Sequence, residues 1–193
     1  MPQYQPRVTA LPQVTFIDAV KTCLRKYCDP KGRARRSEYW WFVLFNVLAS
    51  SAATFLLSIA ASLVQMPMLP IIGSFAVWLL LLLPQYSVLA RRLHDTGHGG
   101  WWAAVFALGM LLYYVSYFVV MLPIMNDMAS TDSMFQMLGA MADAYSNAPV
   151  AAAIMACSSL VVMVFGLITL IFSLMDSKVE ANKYGPSPKY ICQ

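Results

Sequence analysis

Charge is what this sequence has least of. Only 11% of its 193 residues are Asp, Glu, Lys or Arg, two are histidine, and 60% are hydrophobic. A soluble globular domain carries about 25% charged and roughly 45–50% apolar residues, so an ordinary soluble enzyme is excluded. The shortage is also patterned. Four blocks, Trp40 to Val64, Leu69 to Ala90, Trp101 to Met125 and Val150 to Met175, contain no Asp, Glu, Lys, Arg or His at all. Proton-driven carriers keep ionisable relays inside the membrane, and their absence from every block argues against that class. The four cysteines make no C-x-x-C pattern and do not cluster with the two histidines, so no zinc site is expected, no cofactor is implied and the cysteines are given no role. No apolar stretch precedes Tyr39, so a cleaved signal peptide is not expected and residues 1–39 should stay with the mature chain.

What is present is long apolar helix. Each block is 22 to 26 residues, enough at about 1.5 Å per residue to cross a hydrocarbon core of about 30 Å. Continuous apolar runs do not suit a β-barrel, whose strands alternate in polarity. In lipid such runs must satisfy their backbone groups as helices. The expected organisation is a tail at 1–39, a four-span domain at 40–175 with an external loop at 126–149, and a second tail at 176–193.

Charge placement orients these spans. Eight Lys and Arg residues precede the first span, two lie between spans two and three, and three follow span four; the other two connections have none. The positive-inside rule therefore puts both termini and the 91–100 loop in the cytoplasm. The resulting basic surface suits an anionic leaflet. Tyr39, Trp40, Trp41, Tyr86, Trp101 and Trp102 form an aromatic belt at the same interface.

Smaller elements follow from spacing. Thr15 and Asp18 make a capping-box start, and Phe16, Val20, Leu24 and Tyr27 recur at helical spacing, which predicts an amphipathic helix from Thr15 to Cys28 lying on the inner surface. Residues 1–14, with three prolines, read as extended or mobile. In the external loop Met134, Met137 and Met141 offer thioethers of the kind that suit soft metals, but with Leu138 and Tyr145 they form one apolar face of a short surface helix. Small residues define two helix seams, Asn46, Ser50, Thr54, Ser58 and Ser62 on span one, and Ala152, Ala156, Ser159, Gly166, Thr169 and Ser173 on span four. Pro84 is expected to kink span two.

The remaining chemistry sits in three short segments: Gly32-Arg33-Ala34-Arg35-Arg36-Ser37-Glu38-Tyr39-Trp40-Trp41, Arg91-Arg92-Leu93-His94-Asp95-Thr96-Gly97-His98-Gly99-Gly100-Trp101-Trp102, and Asn182-Lys183-Tyr184-Gly185-Pro186. Occurring in this order between apolar helices, they resemble the bacterial membrane family called domain of unknown function 805, the YhaH-like inner-membrane proteins. The resemblance covers roughly residues 16–188 and implies a small polytopic inner-membrane protein, with no catalytic residues carried over. There are departures, Pro30-Lys31 ahead of the first motif and His98-Gly99 before the tryptophan pair among them.

If span two stays helical through Thr96 and ends with Gly97 in the left-handed region, Arg91 and Arg92 fall four and three residues from Asp95. Three readings compete there. Arg91 and Arg92 cap the negative end of span two and meet lipid phosphate; arginine forks from both segments build an anion site; or His94 and Asp95 form an acid–base dyad, which no nucleophile or metal set accompanies. The fold expected is an all-α membrane protein of four transmembrane helices plus the N-terminal amphipathic helix. The candidate anion or lipid-headgroup residues are Arg33, Arg35, Arg36, Arg91, Arg92, His94, Asp95, Trp101, Trp102, Asn182 and Tyr184. The partners expected are anionic membrane lipids, with a protein partner or second copy along the small-residue faces as the alternative and no nucleic acid. Between lipid binding and non-catalytic assembly the residues leave both open, with an enzyme third.

Overall fold

A computed structural model describes residues 8–66, 68–127 and 133–192. In chain order these form β1 (Val8–Ala10), α1 (Phe16–Arg25), α2 (Arg36–Val64), α3 (Leu69–Asp95), α4 (Trp101–Asp127), α5 (Met134–Asn147), α6 (Pro149–Leu174) and β2 (Tyr190–Cys192). The protein is an all-α membrane protein: α2, α3, α4 and α6 are all long and apolar enough to cross a bilayer. These helices are 26 to 29 residues long, and α2 and α3 overrun their uncharged blocks, because α2 begins at the charged Arg36 and α3 runs on through Asp95. The chain forms two compact units, residues 1–104 with 168–193, and residues 105–167.

In the first unit α1 starts as its sequence dictates. Thr15 Oγ1 accepts the Asp18 amide at 3.3 Å and donates to the Asp18 carboxylate at 2.6 Å, satisfying a donor that the first helical turn leaves open. The helix packs on α2 and α3, and the face it buries differs from the one expected. Ala19 and Cys23 are the buried residues, whereas Leu24 is exposed. Small side chains allow the closest approach to two helices, so the interface centres on them and the larger apolar groups fall to its flanks.

A defect in α3 helps to fix the next segment. Pro84 lacks an N–H, so the Leu80 carbonyl one turn earlier loses its intrahelical donor. The Tyr27 hydroxyl supplies the replacement by donating to that carbonyl. Ser87 Oγ then donates to the carbonyls of Lys26 and Asp29, at 3.0 and 2.7 Å, and ties the same stretch to α3 one turn further on.

α2 and α3 form an antiparallel pair closed by Gln65, whose φ of 54° is left-handed. The polar line on α2 holds for three residues: Asn46 donates to Gln85 at 3.2 Å, Ser50 donates to Asn46 at 3.3 Å, and Thr54 meets Ser74 at 3.1 Å. It fails at Ser58 and Ser62, which are exposed and donate to carbonyls of their own helix. There the contact passes to Leu57, which lies over Gly73, and to buried Ala61. A stripe spaced by four drifts round a helix of 3.6 residues per turn, so two straight helices leave it within a few turns.

A short antiparallel pair joins the two tails, with Thr9 opposite Ile191 and Ala10 opposite Tyr190. This fixes a segment whose prolines had suggested only extended or mobile chain.

The second unit contains most of α4 and α6, and α5 between them. α5 confirms a helix in the 126–149 loop, of which residues 128–132 lie outside the described residues. Its packing residue is Ala144, buried with Val120 and flanked by Met121 and Met141, while Met134, Met137 and Leu138 are exposed. On α6 the small-residue line is correct at Gly166, Thr169 and Ser173 but one position out of phase further back, where Ser158 is buried and Ser159 exposed. Gly166 lies against Phe106, and a Cβ there would sit 3.2 Å from the ring. Gly166→Leu should therefore lower the thermal midpoint in detergent by overpacking, at a cost of about 1–3 kcal/mol, whereas Ser159→Leu should change it little. Equal losses at both positions would mean that the α6 contact face is misassigned.

Candidate functional site

The most enclosed region of the first unit is polar. Every residue of α3 from Ser87 to Asp95 is buried, as is Thr96 beyond it, and the centre of this region is Asp95, with no exposed surface. Arg33 Nε donates to Oδ1 at 2.9 Å, and Arg92 Nη1 donates to Oδ2 at 2.5 Å. Ser177 Oγ also donates to Oδ2, at 2.5 Å. One carboxylate thus serves two guanidinium groups, and the cluster keeps one net positive charge.

The spare donors of both arginines go to helix ends and loop carbonyls. Arg33 also donates to the carbonyls of Lys178 (2.6 Å), Glu180 (2.9 Å), Gly185 (3.2 Å) and Asp95 itself (3.3 Å). Arg92 donates to Ser173 O at 3.2 Å and to Met175 O, and Arg36 to Leu174 O at 3.3 Å. These are the last two carbonyls of α6 and the one just beyond it, where the helix dipole is negative. The expected capping by arginine therefore occurs on α6, not on α3. Arg92 sits near the end of α3 with its side chain pointing away along a neighbouring helix end.

Asn182 closes α3 instead. Its Nδ2 donates to His94 O at 2.9 Å while its Oδ1 accepts the Tyr184 amide at 2.9 Å. Backbone bonds in both directions between Asn182 and Gly185 complete a tight turn in which Gly185 has φ 126°, a value suited to glycine. The turn lays Tyr184 flat on the His94 ring, 3.7 Å between centroids and 7° from parallel. The Asn-Lys-Tyr-Gly segment is thus a clip: an amide to cap the helix, a ring to stack and a glycine to turn.

His94 does not form a dyad with Asp95. Its Nδ1 donates to Gly32 O at 3.2 Å, and its Nε2 faces Gly100, where any side chain would collide with it. Gly97 has φ 87°, the left-handed end anticipated for α3. His98 stacks on Phe172 at 3.7 Å, and burial with nearby Lys178 holds its pKa below the usual imidazole range. Trp101 stacks on Trp102 at 4.1 Å, and Trp102 meets Phe172 edge-on.

Arg91 does not share Asp95, contrary to the i, i+4 expectation. It points to the other side of α3 and donates to Glu38 Oε1 at 2.6 Å, in a buried pair beside Cys23, whose Sγ is 3.8 Å from each partner. Burial and the Glu38 carboxylate push the Cys23 thiol up to about 12. Glu38, Cys23 and Ser177 were missed. No local spacing could reveal them, because their partners lie 53 to 82 residues away along the chain or across a helix junction.

Arg35 and Arg36 lie apart from this cluster. Arg35 donates to the carbonyls of Leu11 and Pro12 in the segment after β1. Both arginines line a cavity of about 520 Å³ with Ser37, Trp40, Trp41, Leu44, Asp176 and Lys189. Lys189 Nζ bonds both oxygens of Asp176, at 2.7 and 2.6 Å, and this contact lowers the Asp176 pKa and raises that of Lys189. That pair is internally neutral. Among the described residues neither Arg35 nor Arg36 is paired with a carboxylate, so the cavity keeps two positive charges beside two tryptophans. The sequence candidates thus divide: Arg33, Arg92, His94, Asp95, Asn182 and Tyr184 interlock, Arg91 pairs elsewhere, Trp101 and Trp102 stack on the α4 side, and Arg35 and Arg36 face the cavity.

Four apolar helices, with the ends of α2, α3 and α6 knitted by buried ion pairs and helix-capping side chains, define an integral membrane protein of the polytopic α-helical class. The chain belongs to the family described as Protein of unknown function (DUF805), which matches residues 27–186, a range containing all three motifs. It is similar to the inner membrane protein YhaH of Escherichia coli K12, with 36% identity over 87 residues, 44% of this chain and 69% of that protein. It also matches the inner membrane protein YhaI of the same strain, 36% identical over 84 residues, 43% of this chain and 65% of that protein. No solved structure matches the chain.

Asp95→Asn tests the central cluster. Removing the charge leaves two buried guanidinium groups without a counter-ion, and breaking a buried pair in this way costs about 3–5 kcal/mol. The variant should show a clearly lower thermal midpoint in detergent; an unchanged midpoint would mean that the arginines are held by carbonyls alone.

Proposed function

We propose that this is an inner-membrane protein, with both termini in the cytoplasm, that holds the headgroup of an anionic lipid in the cavity at the start of α2. The observation that carries this reading is the pair of guanidinium groups, Arg35 and Arg36, without a carboxylate partner beside Trp40, Trp41 and Leu44. Uncompensated charge favours an anion, and interfacial tryptophans accommodate the junction between headgroup and chain. Arg33, Arg91 and Arg92 serve a different purpose in this reading. Arg33 and Arg92 bond protein acceptors through every guanidinium nitrogen, and Arg91, which keeps a buried Nε without a partner among the described residues, is paired with Glu38 outside the cavity lining, so the three support the site without touching the ligand. The inner-membrane location is supported by the relatives and the orientation by the basic residues at both tails.

Two measurements test it. With the native cysteines replaced, Asp143→Cys should be labelled by an impermeant maleimide on intact cells and Lys183→Cys only after lysis; the reverse pattern would overturn the orientation. Native mass spectrometry of detergent-purified protein should show retained dioleoyl phosphatidylglycerol or phosphatidic acid in preference to phosphatidylcholine. Arg36→Gln should cut that retention about tenfold, the loss expected for one charge-assisted hydrogen bond. Equal retention of all three lipids would leave only non-specific solvation and favour the assembly role.

A further inference from the structure

We infer that the ligand of this cavity is a lipid phosphate monoester, a group with three terminal oxygens and nearly two negative charges, and not the phosphodiester of an ordinary phospholipid. The inference rests on the anionic-headgroup reading above and narrows it by charge and by open donors.

Charge comes first. The Lys189–Asp176 pair is neutral, and the two guanidinium groups without a carboxylate leave the cavity at plus two. A phosphodiester carries a single negative charge and would leave one of these uncompensated. A phosphate monoester carries about −1.5 to −2 at neutral pH, which matches both.

The donors give the same count from a separate observation. Ser37 lines the cavity, and its Oγ is shielded from solvent and has no hydrogen-bond partner among the described residues. A buried hydroxyl left in that state costs free energy unless a ligand meets it. Arg36 makes a single hydrogen bond among the described residues, through Nη1, which leaves Nε and Nη2 as a free edge of the guanidinium fork. The residue that caps α2, Arg35, makes no side-chain bond to the helix, so the amides at the positive end of that helix dipole are not capped from within. A hydroxyl, a guanidinium edge and a helix start point to three separate acceptors, the number of terminal oxygens on a monoester and one more than a diester exposes. Trp40, Trp41 and Leu44 continue the wall along α2 into the apolar span, and this places a hydrocarbon chain, not a soluble phosphate, behind the headgroup.

The experiment is native mass spectrometry and competition binding on the full-length protein in detergent, with dioleoyl phosphatidic acid, dioleoyl phosphatidylglycerol, dioleoyl phosphatidylcholine and inorganic phosphate as probes. Phosphatidic acid should be retained about tenfold better than phosphatidylglycerol. Ser37→Ala, which removes only a hydroxyl and preserves helix propensity, should erase most of that preference while leaving retention of phosphatidylglycerol unchanged. Arg36→Lys should reduce phosphatidic acid retention because an ammonium cannot present the planar edge. Equal retention of phosphatidic acid and phosphatidylglycerol overturns the monoester inference and leaves the headgroup reading standing. Retention of neither above phosphatidylcholine overturns both. Inorganic phosphate displacing phosphatidic acid at comparable concentration overturns the lipid assignment, and a preference for phosphatidic acid that survives both variants shows that it binds elsewhere.

Discussion

The charged end of the first unit depends on one carboxylate. Asp95 has no exposed surface, and a charge so enclosed is tolerable only when paired and hydrogen-bonded on every side. Arg33 and Arg92 bring the opposite charge from the α1–α2 connection and from one turn earlier in α3. Each then has donors to spare, which in an enclosed site must also find acceptors. The available acceptors are the last carbonyls of α6 and the loop carbonyls of the C-terminal tail. Requirements for satisfaction thus spread outward from Asp95 until α2, α3, α6 and the tail are engaged. No hydrophobic force brings apolar helices together within lipid, so association relies on packing and polar contacts, and here the strongest polar contacts gather at one end.

The fold was largely legible in the sequence because the signals for it are local. Four blocks without charge required four helices, Thr15 with Asp18 required a helix start, and Gly97 marked the end of α3. The site was less legible because its contacts are remote. The spacing of Arg91, Arg92 and Asp95 allowed either arginine to serve the carboxylate. Only the tertiary structure directs Arg91 to Glu38 and brings Arg33 into the vacant place. The seams failed for a geometric reason. Ser58, Ser62 and Ser159 belong to regular stripes, but a stripe records periodicity and not the point at which a neighbouring helix departs from it.

The three motifs acquire separate meanings from this geometry. Gly-Arg-Ala-Arg-Arg divides its arginines, the first inward to Asp95 and the later two outward to the cavity. Arg-Arg-Leu-His-Asp sends its two arginines to opposite sides of α3. Asn-Lys-Tyr-Gly caps α3, stacks on His94 and turns. Most side chains of the second and third motifs are thus engaged in contacts within the protein, whereas the later arginines of the first line the cavity with Ser37 and the tryptophans after them.

Arg33 also has a history in time. It donates to the Lys178 and Gly185 carbonyls from 145 and 152 residues away along the chain, so when it leaves the ribosome most of its eventual partners do not exist. Closing a loop of that size carries an entropic cost that is incurred before the distant contacts reward it. The chain of α2 and α3 is therefore complete while that guanidinium still lacks its tail partners. Arrival of the tail completes that shell and at the same moment lays β2 beside β1. The tail carbonyls are thus the last part of the Arg33 shell to be synthesised, and a chain without them leaves that guanidinium with Asp95 alone.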